Sequence, residues 1–403
     1  MNTSPISLYI HIPFCAKKCP YCDFNTYARI EHLFSPYISA LNLEIKQWGQ
    51  LLGHPPVKTV FLGGGTPSYL PVKLILSIID TVFHAFDVDT NAEITLESNP
   101  RDFTPQHAKH LSTSSINRLS FGAQSLNDNI LSILGRDHDR ATLIDAYENA
   151  KTAGFNNINL DLIYGVPDLT SEIWAQTLSE AIALHPQHFS LYCLTLEKET
   201  PMYLALETGK LPRPDEDLAA DQYIHAESAL AKNDYIQYEL SNWSKEDYSC
   251  THNLQYWNNL PYLGLGPGAH SFYSNTRFSN LKSPTQYIKL IHQWILESND
   301  KPFLHHLQNN PLIADFEVIP KNISMAEYMF LKLRLNKGIT NDEFHSIYHD
   351  RFTNVFAKEL PSLFEQNLIF WNKNNLCLTK KGRLLANEVF TSFIGSYLQD
   401  TSN

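Results

Sequence analysis

Cys15-Ala-Lys-Lys-Cys19-Pro-Tyr-Cys22 crowds three of the chain's six cysteines into eight positions. It lies just past Ser7–Ile12, an apolar run whose residue types predict a short strand. Pro13 and Pro20 bar a regular helix there, so the three thiols can converge from a loop. Cysteine thiolates are the usual ligands of iron–sulfur clusters, normally four to a cluster. Three would leave one iron without a protein ligand. A zinc site completed by His11 is the competing reading, and three buried thiols without any ligand are a third. Cys193, Cys250 and Cys377 are scattered and read as small buried hydrophobes.

Outward from that loop, β-rich runs recur at Thr59–Leu62, Glu93–Glu97, Arg118–Phe121, Asn157–Tyr164 and Phe189–Leu194. Stretches with helical spacing separate them: Pro36–Leu52, Val72–Phe86, Pro105–Leu111, Arg140–Ala153 and Ser171–Leu184. Six strand–helix alternations with nearly continuous apolar strands predict an α/β fold of parallel βαβ units. A partly closed barrel and a doubly wound sheet both fit. In either, the active site lies where polar residues follow the strands.

The pattern loosens from about residue 199. Five prolines punctuate residues 201–267, and Gly264–His270 (GLGPGAH) reads as a tight loop exposing its backbone. Beyond the Pro-containing stretch 301–320 the sequence predicts helices at Met325–Leu335 (with Ser324 as N-cap), Thr340–His349, Thr353–Gln366 and Lys381–Phe393. A hairpin at Ile369–Leu378 interrupts them, so this end resembles a winged helix. The expected division is a domain over 1–290, containing the irregular segment 199–290, a linker over 291–320 and an accessory domain over 321–403.

Composition narrows the possibilities. The chain has 403 residues, 43% hydrophobic and 18% charged, which suits a large domain plus a small one. A net charge of −11 argues against a broad nucleic-acid face, including one on the winged-helix-like end. The N-terminus lacks the positive and apolar regions of a secretory signal. No apolar run reaches the roughly 18 residues of a membrane span. A cytoplasmic protein is expected, with peripheral contact at the inner membrane left open.

Together with the cysteines, Tyr9–Cys15 (YIHIPFC), Gly63–Ser68 (GGGTPS), Glu97–Pro100 (ESNP), Ser120–Ser125 (SFGAQS), Leu134–His138 (LGRDH) and Asn159–Gly165 (NLDLIYG) resemble one family. It is the oxygen-independent coproporphyrinogen III oxidase-like family of radical S-adenosylmethionine (SAM) proteins. Order and spacing match through about residue 290, and Leu333–Ile339 (LRLNKGI) resembles a marker of that family's accessory domain. The resemblance implies a partial (β/α)6 barrel. It also implies a 4Fe-4S cluster on Cys15, Cys19 and Cys22, with SAM bound to the open iron. It assigns Tyr9, Tyr21, Gly64, Gly65, Thr66, Glu97, Gln124, Arg136 and Asp161 to SAM. The residue types suit such a ligand. Carboxylates match ribose hydroxyls or an ammonium, an amide both donates and accepts, and a guanidinium forms a fork for a carboxylate. At the glycines, a side chain would block a ligand from approaching backbone N–H and C=O groups. Singly, each could be a turn, cap or surface residue.

Two functions occur in such a family. The oxidases carry a fourth cysteine two positions after the third, where this chain has Phe24, and an N-terminal extension, where this chain has fourteen residues before Cys15. His252-Asn253-Leu-Gln-Tyr256-Trp257 matches HNxxYW, a motif of the family's heme-chaperone branch. Imidazole is a common heme ligand, and aromatic rings offer flat apolar surfaces to a porphyrin. A loop histidine beside two core aromatics is the plain structural alternative. The resemblance thus implies heme bound at His252, Asn253, Tyr256 and Trp257. It further implies an electron donor and heme-acceptor proteins, membrane-associated respiratory enzymes among them. A coproporphyrinogen III dehydrogenase and a radical SAM enzyme with another substrate are the alternatives.

Overall fold

The computed structural model describes residues 5–294 and 301–400, with side chains through Ile394. Six parallel strands form the centre of the main sheet: β1 (Ile6–Ile12), β2 (Pro56–Gly64), β3 (Asp87–Ser98), β4 (Arg118–Gln124), β5 (Ile158–Tyr164) and β6 (His188–Cys193). Each lies beside its predecessor in the chain. A doubly wound sheet reverses direction at a switch point; this one does not, so the winding is that of a partial barrel. Near-continuous burial of β1 and β5 matches their apolar sequences, as expected of strands covered on both faces.

The crossovers are α1 (Phe34–Leu52), α2 (Val72–Ala85), α3 (Pro105–Leu111), α4 (Asp128–Ile133), α5 (Arg140–Thr152) and α6 (Ser171–Ala183). Local signals start several of them: Thr104, Asn127, Asp139 and Thr170 each cap a helix by accepting a backbone N–H. The short α4 escapes the sequence pattern. So does the helix Glu216–Ala231, because Pro212 and Pro214 mask a start that Asp215 nevertheless caps. On the free side of β1, Tyr262–Leu265 pairs in parallel and leads into an antiparallel ribbon.

That ribbon corrects the expectation for GLGPGAH. The loop is mostly buried, and its glycines allow close approach of the protein to itself. A Cβ at Gly264 would stand 2.1 Å from His270 O, and one at Gly266 (φ +93°) 2.6 Å from Tyr37 Oη. Glu44 of α1, fully buried, anchors this region. Its carboxylate accepts from Gly266 N (2.7 Å), Asn280 Nδ2 (2.7 Å) and Tyr287 Oη (2.5 Å).

The chain divides into two compact units. One comprises the residues up to Tyr235 with Pro261–Glu317, the other Ile236–Leu260 with the residues from Val318 onward. The HNxxYW segment therefore packs with the C-terminal residues. Of the stretch 291–320 expected as a linker, residues 295–300 lie outside the described residues, and 301–317 group with the barrel. The second unit has its own apolar core, centred on Met329, Phe344, Phe352 and Phe393. The expected hairpin is present as Ile369–Asn372 paired with Asn375–Leu378.

Three boundaries differ there. The first helix spans Lys321–Arg334, directly after Pro320 and without a side-chain cap, so Ser324 is no N-cap; its hydroxyl pairs with Tyr348 Oη at 2.9 Å. Thr353–Gln366 breaks into Phe352–Val355 and Leu360–Glu365, because Pro361 is tolerated only in a helix's first turn. Lys381–Phe393 divides at Leu385.

Removing the Glu44 acceptor while leaving its donors buried should cost about 1–3 kcal/mol per orphaned group. Glu44→Leu is therefore expected to lose roughly 3 kcal/mol or more in urea denaturation. A loss under about 1 kcal/mol would mean the cluster does not hold the ribbon to α1.

Candidate functional site

The C-terminal ends of the parallel strands surround a cavity of about 390 Å³. The cysteine loop is fastened over it by backbone bonds. Gly65 N donates to Ile12 O at 2.8 Å and Thr66 N to Phe14 O at 2.7 Å. A Cβ at Gly65 would lie 2.6 Å from Phe14 O, so only glycine allows the two segments to close. Asn25, just after the last cysteine, donates to Pro267 O (2.9 Å) and Lys282 O (3.0 Å).

Cys15, Cys19 and Cys22 all line the cavity. Thr66 Oγ1 donates to Cys15 Sγ at 3.5 Å and Arg136 Nη1 to Cys19 Sγ at 3.6 Å. Burial pushes the Cys15 and Cys22 thiols up. His11 is committed elsewhere. A carbonyl can only accept, so Nε2–H donates to Asn25 O at 2.9 Å, and Nδ1 accepts from Tyr9 Oη at 3.0 Å. With both ring nitrogens in use, the tetrahedral zinc set completed by His11 fails. Among the described residues no three His, Cys, Asp or Glu side chains converge on a single ion position. Three separate thiol donors on one wall suit a cluster that gives each thiolate its own iron.

Of the nine residues expected to hold SAM, eight line this cavity: Tyr21, Gly64, Gly65, Thr66, Glu97, Gln124, Arg136 and Asp161. Tyr9 does not; its ring stacks on Phe61 and its hydroxyl serves His11. The glycines also differ from expectation. Gly64 N donates to Glu97 Oε2 at 3.0 Å, and the next two N–H groups close the cysteine loop. The segment thus offers a ligand carbonyls and the Thr66 hydroxyl, its N–H groups being spent within the protein. Gln124 ends β4 with φ +63°, beside a shift in register against β5. A left-handed glutamine costs energy, and such strain gathers at functional positions.

Arg136 crosses the cavity wall, with Nη2 donating to Gly122 O at 2.9 Å. Its Nε, and the hydroxyl of Ser98, which also lines the cavity, are buried with no partner among the described residues. Two such groups mark a place for a polar ligand. Asp161 accepts from Asn159 Nδ2 (2.8 Å) and Ser120 Oγ (3.1 Å), while burial pushes its carboxyl up. Sequence reasoning missed Asp102, whose carboxyl burial pushes up to about 6, and Asn159, which supports Asp161 from beneath. Asp102 sits two residues past the ESNP motif; Asn159 opens NLDLIYG but reads from sequence only as a strand residue. Cys193 departs from expectation. It is exposed on the cavity wall because it closes β6 at the open end, whereas Cys250 and Cys377 are buried as expected. Phe24, in the fourth-cysteine position, stands at the mouth with 62% of its surface exposed.

In the second unit the HNxxYW residues form one short helix, Thr251–Trp257. His252 Nε2 and Tyr256 Oη are hydrogen-bonded at 2.9 Å. The Arg334 guanidinium lies 4.2 Å from the centre of the Trp257 ring and pairs with buried Glu239 at 3.2 Å. Asn253 is half-buried on the same helix. LRLNKGI gains a physical meaning here. Arg334 fixes Trp257, and Asn336 donates to Gln237 O (2.7 Å) and Tyr238 O (3.0 Å), binding the motif helix's neighbouring strand to the accessory core.

Burial first, then the Asp161 charge, push the Glu97 carboxyl up to about 8. The folded protein therefore holds this proton more tightly than the unfolded chain, in which a glutamate titrates near 4.3. Its stabilisation is complete below that ordinary value and is lost as pH rises through 8. Glu97→Gln stays neutral and can still accept from Gly64. The ligand-free variant should melt above wild type at pH values beyond 8, the gap closing toward pH 4–5. Parallel melting profiles would contradict the assigned environment.

Residues 9–181 match the Radical SAM superfamily and residues 319–385 the HemN C-terminal domain. The structure resembles that of coproporphyrinogen III oxidase (HemN) from Escherichia coli with a TM-score of 0.82, at 25% identity, over 96% of this chain and 90% of that one. The heme chaperone HemW of Bacillus subtilis is 34% identical over 390 residues, 96% of this chain and 99% of the relative. That of Haemophilus influenzae is 33% identical over 97% and 98%. The chain therefore belongs to the radical SAM heme chaperone HemW family.

Proposed function

We propose that this protein is a heme-binding chaperone that holds a 4Fe-4S cluster and SAM in the barrel cavity and passes heme to acceptor proteins. The observation that carries this reading is the complete HNxxYW match on one helix, in a chain that spans the full length of relatives named heme chaperones. Phe24 in the fourth-cysteine position favours the same side. The cavity chemistry supports the cofactors. Cys15, Cys19 and Cys22 would hold the cluster, which supplies electrons from an external donor for reductive chemistry on SAM. Arg136, with one nitrogen unpartnered, would take the SAM carboxylate; Glu97 and Asp161 would take hydroxyl or ammonium groups; Gln124 and Tyr21 would close the sides. Tyr9 acts at one remove, by fixing His11 under the cysteine loop.

His252, Asn253, Tyr256 and Trp257 would form the heme contact. The acceptors would be heme proteins of the respiratory chain, met in the cytoplasm or at the membrane surface. No helix among the described residues is long and apolar enough to cross a membrane.

Anaerobic reconstitution should give about four iron and four sulfide per chain, with Cys19→Ala losing both. SAM should alter the reduced cluster's paramagnetic resonance signal. The same sample should bind ferric heme stoichiometrically, and Trp257→Ala should weaken that binding by about 1–3 kcal/mol. Zinc without sulfide would remove the cluster assignment. Steady conversion of coproporphyrinogen III to protoporphyrinogen IX by wild type would replace the chaperone with an oxidase.

A further inference from the structure

His252 and Tyr256 stand four residues apart, on one side of the helix Thr251–Trp257. The imidazole is only 1% exposed, whereas the phenol ring is half-buried. Their rings meet edge to face, with centroids 5.1 Å apart. His252 Nε2 lies 2.9 Å from Tyr256 Oη. To ligate iron through Nε2, the imidazole would have to give up this bond and leave its buried seat. The phenol oxygen can keep this bond, because a hydroxyl oxygen has a second lone pair to offer, and its ring is half-buried where the imidazole is fully buried. Tyrosine is itself a heme-iron ligand in some proteins, and an outer partner that takes its proton makes the oxygen a better donor. Trp257 beside it, with its ring centroid 6.5 Å from that of Tyr256, is fixed by Arg334 and offers a second flat apolar surface.

We infer that Tyr256 is the axial ligand to ferric heme, through its phenol oxygen, and that His252 is a positioning residue that accepts the phenol proton. This rests on Thr251–Trp257 being the heme segment. On loading, the phenol O–H bond breaks and its proton moves to His252 Nε2. The oxygen's electron pair fills the iron's axial position and displaces a weakly held water. No electron is transferred, so the iron stays ferric. An anionic oxygen is a hard ligand and holds ferric iron better than ferrous iron. Reducing the heme should therefore loosen it.

Resonance Raman spectra of ferric heme bound to the full-length protein test the assignment. Wild type should show iron–phenolate vibrations and a high-spin ferric signal, and dithionite should lower its affinity for the heme. Tyr256→Phe should lose the phenolate vibrations while keeping the ring. His252→Gln should keep them, with heme affinity falling roughly 10–100-fold, as for loss of an outer partner. Phenolate vibrations absent from wild type, or a Tyr256→Phe spectrum identical to wild type, would overturn the assignment. If Tyr256→Phe fails to fold, the wild-type spectrum alone decides. Wild-type protein that binds no heme at all would remove the proposed function, and this ligand with it.

Discussion

Two backbone hydrogen bonds, from Gly65 to Ile12 and from Thr66 to Phe14, hold the cysteine loop against the turn after the second strand. They require the chain to pass closer to itself than any Cβ at Gly65 would allow. Asn25 and His11 fasten the other side of the loop. With the loop so fixed, all three thiols face one cavity, and Thr66 and Arg136 can hydrogen-bond to two of them. Loosening the closure would remove the wall that holds the thiols together.

The strands that carry the ligand-facing groups also explain the unusual energetics there. Glu97 and Asp161 leave neighbouring parts of one sheet toward the same space; burial raises the cost of ionising both, and the Asp161 charge adds to that cost at Glu97. Asn159 and Ser120 offset part of that cost beneath Asp161. The cavity holds two carboxyls that burial pushes up, a partly unpartnered guanidinium and a strained Gln124. Such a set suits a cavity that is completed by a charged ligand.

Much of this is legible in the sequence, because the signals are local. Apolar runs locate five of the six parallel strands to within three residues, the third starting at Asp87, six residues before its run, and the motif residues after them reach one cavity, apart from Tyr9. What cannot be read depends on partners distant in the chain. GLGPGAH looks like an exposed loop until Glu44, more than two hundred residues away in sequence, is seen to anchor it. The glycines of GGGTP signal close approach, but only the structure shows that their N–H groups meet the protein's own backbone and Glu97. Cys193 resembles any buried cysteine until its place at the open end of a strand is known. LRLNKGI shows no chemistry by itself; Arg334 acquires a role only beside Trp257 and Glu239.

In the proposed function heme is cargo, held at the HNxxYW helix for release to another protein. The most direct measurement loads the full-length protein with ferric heme, mixes it with an apo heme protein, and follows the acceptor's Soret band. A heme carrier should fill the acceptor, and Tyr256→Phe protein should be a poorer donor because it is loaded less fully. Heme that stays bound in the presence of excess acceptor, or that never binds, would rule out a heme carrier.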